Sequence, residues 1–171
     1  MMNQIVGICG TLLGTVLGWV LNNLSQRGKI SVFVKNVNEE FTKRDSYGGF
    51  DQCDIADAEH YIIKISIDVY NSSRDTGIMR DIQLVFYKGK KQMLCGVPRD
   101  EASRHSGGPV SRYDDLSVVN IQPKSVINIK MHYGLNNSDE LWEELKASNK
   151  VTMRYKDAKN KQRECEIYNK E

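Results

Sequence analysis

No Lys, Arg, Asp or Glu occurs before Arg27. The opening residues, MMNQ, therefore lack the basic n-region of a secretory signal, and no A-x-A cleavage site follows them. The chain also lacks an excess of either charge: Lys and Arg number 24 against 22 Asp and Glu, a formal net charge of +2. A nearly neutral domain excludes a general nucleic-acid binder, which would be strongly basic. Cys9, Cys53, Cys95 and Cys165 include no C-x-x-C pair. Three of them fall outside the first 28 residues, and an odd number without framework spacing suits a reducing compartment better than a disulfide-stapled secreted fold.

The common catalytic signatures are missing as well. There is no G-x-S-x-G, H-E-x-x-H, Walker loop or G-x-G-x-x-G. The histidines, His60, His105 and His132, fall in different segments, and no pattern sets a base beside a nucleophile. Cys53, Asp54, Asp57 and His60 have loosely metal-like spacing, yet a polar loop running into a strand accounts for them better. We expect no enzyme, no catalytic residues, no cofactor and no metal. No βα alternation and no internal repeat is present.

What is present first is an uncharged run over residues 5–24, IVGICGTLLGTVLGWVLNNL. A helix of about twenty residues spans about 30 Å, the hydrocarbon thickness of a bilayer. The run reads as a transmembrane helix sorted by side-chain size. At about 100° per residue, Gly7, Gly10, Thr11, Gly14, Gly18, Asn22 and Ser25 share one side, with Asn3, Gln4 and Thr15 at its margins. Ile5, Cys9, Leu12, Leu13, Val16, Trp19 and Val20 take the other side, with Ile8 at its edge, and Leu21 and Asn23 break the pattern. Gly10, Gly14 and Gly18 make a double G-x-x-x-G, the arrangement by which membrane helices approach closely. The expectation is a homo-oligomer whose small-residue face is either a dry packing seam or a pore lining; glycine's general abundance in membrane helices is the plainer alternative. Arg27 and Lys29 follow the run, so the positive-inside rule places the remaining domain in the cytoplasm, as in a single-pass inner-membrane protein.

Residues 1–28 thus form the helix and junction, and residues 29–171 one soluble domain of ordinary size. KISVFVKNV reads as a first strand, with Ile30, Val32 and Val34 on one face and Phe33 and Val37 on the other. Residues 38–58 read as a long loop holding a turn at Tyr47-Gly48-Gly49-Phe50 and room for a short edge strand. HYIIKISIDVY alternates most clearly, with Tyr61, Ile63, Ile65, Ile67 and Val69 on one face. MRDIQLVFY turns through Lys88-Gly89-Lys90 into QMLCGV, a hairpin with Ile82, Leu84 and Phe86 inward. LSVVNI, KSVINIKMHY, VTMRY and ECEIY continue the series, with Ile127, Ile129, Met131 and Tyr133 sharing a face. Residues 137–148 are the one helical candidate beyond the first run, with Asn137 and Glu140 as a capping box and Leu141, Trp142 and Leu145 as its apolar face. The fold class is mainly β: an antiparallel Ig-like sandwich after one N-terminal helix, with a closed barrel as the alternative.

For recognition, residues 98–115 gather Arg99, Arg104, His105 and Arg112 around Gly107-Gly108. Guanidinium forks and exposed backbone amides suit an anionic ligand or a regulatory protein partner. The plainer reading pairs these arginines with Asp100, Glu101, Asp114 and Asp115. The Tyr47 to Phe50 turn is either an exposed partner-binding tip or a pair of aromatics folded onto their own sandwich.

GTLLGTVLGWVLNNLSQRGK, YGGFDQC, DVYNSS, IMRDIQLVFYKGKK and IQPKSVI resemble segments of bacterial proteins that pair a Gly-rich span with a small cytoplasmic β-sandwich. The layout is also similar to that of membrane channel effectors of anti-phage defence, such as the Hailong type. That resemblance implies membrane depolarisation under the control of a soluble domain.

Overall fold

The computed structural model describes residues 2–25, 28–106 and 111–170, and within the first helix it describes side chains from Gly10 to Asn22. The chain opens with α1 (Met2–Ser25), then β1 (Ile30–Arg44), β2 (Phe50–Gln52), β3 (His60–Asn71), β4 (Gly77–Lys88) and β5 (Lys91–Gly96). Short elements follow: β6 (Arg99–Asp100), a 3₁₀ turn (Glu101–Ser103), β7 (His105–Ser106), β8 (Ser111–Arg112) and β9 (Val118–Ile121). β10 (Val126–Asn136), α2 (Trp142–Ala147), β11 (Lys150–Lys156) and β12 (Gln162–Asn169) complete it.

Two antiparallel sheets face each other, as the alternation predicts. One runs β2-β1-β3-β10-β6; the other runs β12-β11-β4-β5, with β9 also paired to β4. β3 supplies the centre of the first sheet. Its odd-numbered residues Tyr61, Ile63, Ile65, Ile67 and Val69 are buried, while Lys64 on the even face is exposed. Across the core they meet Met79, Ile82, Leu84 and Phe86 of β4 and Met153 of β11. Removing this apolar area from water is the main term favouring the sandwich.

Three local expectations are corrected. β1 runs to Arg44, well into the predicted loop, because residues 36–42 pair with β3 down to His60. A register shift between Val34 and Asn36 inserts one residue, and this turns Val37 onto the core-facing side with Ile30 and Val32, away from Phe33. α2 starts at Trp142, five residues later than predicted, and its N-cap position, Leu141, has no side-chain cap. The capping box does not form: Asp139 Oδ2 accepts from Asn136 N at 2.7 Å, and the Asp139 and Trp142 amides close turns instead. The expected edge strand exists as β2, and residues 157–161 turn the terminal hairpin.

α1 differs from the rest. Leu12 is 61% exposed, Leu13 63% and Trp19 66%, so the sandwich does not cover them. Among the described residues no helix is long and apolar enough to cross a membrane.

Candidate functional site

Three places hold the residues singled out in the sequence: the glycine face of α1, the junction where α1 hands over to β1, and the outer surface of the first sheet with residues 98–115. On α1, a Cβ built on Gly10, Gly14 or Gly18 would meet nothing within 4 Å, so there is open space beside these three glycines. Thr15 Oγ1 donates to the Thr11 carbonyl at 2.9 Å, so it serves the helix's own backbone. Asn22 lies one further turn along, and the side of Gly7 lies outside the described residues.

The described end of the junction is held by hydrogen bonds at Lys29. Lys29 N donates to Ser72 Oγ at 2.8 Å, and Ser72 returns two bonds to the Lys29 carbonyl, from Oγ at 3.0 Å and from N at 3.1 Å. Gly28 packs so closely that a Cβ there would lie 2.1 Å from Ser73 N and Cα. Beneath them, buried Asn71 donates to the carbonyls of Asp75 at 2.7 Å and Ile121 at 3.0 Å, and accepts from Ser73 Oγ at 2.7 Å. The DVYNSS segment therefore ties the start of β1 to the β3–β4 and β9–β10 turns. A buried amide with both ends occupied is stable, and one left unpaired would cost about 1–3 kcal/mol.

The third place is a cleft of about 610 Å³ on the outer face of the first sheet. The register sets its walls: His60 lies beside Asn136, Gly134 beside Ile62, and His132 beside Arg99. Gly134 leaves the floor open where any other residue would fill it. His60 Nδ1 is 2.7 Å from Asn136 Oδ1, and Nε2 on the other side of the ring is buried and unpartnered. Phe50 meets the His60 ring edge-on with centroids 5.1 Å apart. His132 Nδ1 lies 3.1 Å from Glu101 Oε1 but outside hydrogen-bond alignment, and Tyr113 packs on its ring at 4.5 Å. Burial, helped by Arg99, holds the His132 pKa below the ordinary histidine range, against the opposing pull of Glu101.

Of the four residues proposed for recognition, Arg99 alone lines this cleft. His105 and Arg112 pair across the small β7–β8 hairpin, and Arg104 Nε donates to Ser111 Oγ at 3.1 Å. Gly107 and Gly108 lie outside the described residues. The predicted arginine–carboxylate pairing does not occur: among the described residues Arg99, Arg104 and Arg112 make no ion pair, while Asp114 contacts His105 at 3.4 Å and Asp100 caps the 3₁₀ turn. Tyr47 is 95% exposed, whereas Phe50 folds back onto His60. Cys53, Asp54, Asp57 and His60 do not converge, and among the described residues no group of three such side chains is placed to hold a metal.

Sequence reasoning missed the cleft. His60 and His132 sit 72 positions apart, and only the β3–β10 register puts them on one face. The cleft holds a guanidinium without an ion pair at one end, an aromatic ring and an unpartnered imidazole nitrogen at the other, and a glycine floor between, with the carboxylates of Glu40 and Asp115 also in its lining.

The SPbeta prophage-derived uncharacterized protein YopI of Bacillus subtilis (strain 168) is 26% identical over 158 residues, which cover 91% of this chain and 88% of that one. Among solved structures, the Iho670 flagellar-like filament superposes with a TM-score of 0.44 at 8% identity, covering 97% of this chain and 96% of its own. A crystal structure of a protein from Archaeoglobus fulgidus gives 0.39 at 15% identity, covering 81% and 99%. Residues 28–168, from the junction glycine to the last strand, match the YopI Ig-like domain, and the chain belongs to that family.

Proposed function

We propose that this chain is an oligomeric single-pass inner-membrane effector whose cytoplasmic Ig-like domain controls a bundle of α1 helices. One observation carries the reading: α1 is a charge-free helix of 24 residues on which Leu12, Leu13, Leu17, Trp19 and Leu21 are each about three-fifths exposed. Lipid is the environment that removes that exposure. In lipid, the Gly10, Gly14 and Gly18 face gives other copies of α1 a surface for close backbone approach, with Thr11 and Asn22 beside it. The Ser72 clamp on Lys29 supports coupling, because it holds the start of the sandwich a few residues along the chain from the end of α1. A ligand at the Arg99 cleft or a partner at the β7–β8 hairpin would act through this connection. The output in this reading is ion flow and depolarisation, as in a defence effector.

The test is the mass of the full-length protein in mild detergent together with ion flux in liposomes. A discrete oligomer that conducts is expected, and Gly14→Leu should abolish close packing and flux together. Wild-type protein that stays monomeric, or a Gly14→Leu variant with normal oligomers and flux, overturns the reading.

The cleft itself favours a second reading, a membrane-tethered binding module in which α1 only localises the sandwich. It requires that an unrelated single-pass helix in place of α1 preserve function. Loss of function in that exchange counts against it.

A further inference from the structure

We propose that the end of the sandwich next to α1 is a docking surface for the anionic headgroups of the bilayer. This rests on the bilayer reading of α1 and says what the sandwich does at that surface. The strand registers bring separate segments to one end of the domain. Lys29 is bonded to Ser72, Lys124 N and Nζ donate to the Ser73 and Ser72 carbonyls at 3.3 and 2.5 Å, and Gly77 pairs with Ile121. Lys156 pairs with Arg80 near the start of β4, so the 157–161 turn lies at this end too.

The charges there are unequal. Two of the acidic groups are engaged: Asp81 by Lys156 at 2.8 Å, and Asp157 by Arg163 at 3.0 Å and by the backbone amides of Lys159 and Lys161 at 2.9 Å each. Lys29, Arg74, Lys124, Lys159 and Lys161 are exposed and, among the described residues, have no carboxylate partner. Asp75 is the remaining acid in these turns. At the opposite end the turns carry both signs of charge, with Asp45, Asp54, Asp57 and Asp139 as well as Lys43, Arg44, Lys88 and Lys90. A nearly neutral sequence thus folds into a domain whose cationic end is the one joined to α1.

Position and charge point to one occupant. Ser25 ends α1 and Ile30 begins β1, so this end stays within about 17 Å of the helix terminus at the reach of an extended chain. The cytoplasmic leaflet carries a negative surface potential that attracts basic segments beside a span. Val126 and Phe33, each 58% exposed on the outer sheet face at this end, add apolar surface at headgroup level.

The experiment separates docking from anchoring. The wild-type chain and a variant carrying Val16→Lys and Leu17→Lys, which α1 cannot bury in lipid, are each sedimented with phosphatidylcholine vesicles and with vesicles holding phosphatidylserine. The wild type should enter both. The variant should bind only the anionic vesicles and be released on raising salt from about 0.1 M to about 0.5 M. Adding Lys124→Gln, Lys159→Gln and Lys161→Gln should weaken that binding by about a hundred-fold, at about five-fold per cation, with an unchanged thermal midpoint showing an intact fold.

If the variant ignores anionic vesicles while the wild type enters both, the docking surface is refuted and the anchor stands. If neither protein binds phosphatidylcholine vesicles but both bind the anionic ones, the anchor is refuted and the surface stands. Binding of the variant to RNA or heparin as tight as to anionic vesicles overturns the assignment to lipid.

Discussion

Helix α1 and strand β3 are both rich in aliphatic residues, and the chain treats them in opposite ways. Ile63, Ile67 and Val69 have no exposed surface, whereas Leu12, Leu13 and Leu17 are about three-fifths exposed. The difference lies in what each element carries on its other side. β3 alternates its aliphatic residues with His60, Lys64 and Asp68, which can face water, so one face is free to enter a core. α1 places glycine and threonine opposite its leucines. Such a side offers water no charge, and the large aliphatic side chains described opposite it stay exposed.

The strongest way to break this comparison is to truncate both elements alike. Ile67→Ala should destabilise the sandwich by about 2–5 kcal/mol, because it opens a cavity between the sheets. Leu17→Ala should change it by less than about 0.5 kcal/mol, because that side chain is 59% exposed and outside the core. Thermal or urea unfolding of both variants checks the pair, and similar losses would mean that α1 belongs to the core.

A smaller effect tests the seam between the two regions. Gly28→Ala should cost about 1–3 kcal/mol by forcing Lys29 away from Ser72 and Ser73. Hydrogen exchange should then report faster loss of protection at the Lys29 and Ser72 amides while the β3 centre stays protected.

Within the sandwich the same contrast between cover and exposure applies to cysteine. Burial pushes the Cys165 thiol up to about 11, whereas Cys95 is exposed. At about pH 8 the Cys165 thiolate is a fraction of about one in a thousand, so alkylation should label Cys95 first and Cys165 only after the fold opens. Equal labelling rates would show that β12 frays from the sheet.

The smallest expected effect is pH-dependent and concerns the cleft. His132 is held below its ordinary range in the fold, so the unfolded chain binds more protons there in mild acid. Its contribution to stability is present above about pH 6.5 and is lost as pH falls through the lowered native value. His132→Gln should flatten the acid limb of the stability curve, and an unchanged limb would show that the ring is solvated.

Much of the sandwich was legible because period-two alternation is a local signal. The inward sets on β3, β4 and β10 follow from it directly, as does the terminal hairpin. The cases that departed were those decided by partners. Residues 36–42 are too polar to announce a strand, yet β3 offers them a ladder; the inserted residue after Val34 then reverses the side on which Val37 lies. Asn137 to Leu141 have the composition of a helix start, but the Asn137 amide bonds the Glu59 carbonyl and the Asp139 amide closes a turn on Asn136. Arg99 was found in the sequence for its charge, and its neighbours His132 and Gly134 were not, since neither residue type is informative without a register.

By itself the sequence determined that the chain has a charge-free, size-sorted helix and a domain of alternating strands, because both properties are periodic in the residues' own order. The tertiary structure decided which side chains share a surface. Strand pairing brings residues distant in sequence within a few ångströms, and in this way the His60 to His132 cleft, the Asn71 and Ser72 clamp and the cationic end beside α1 come into being.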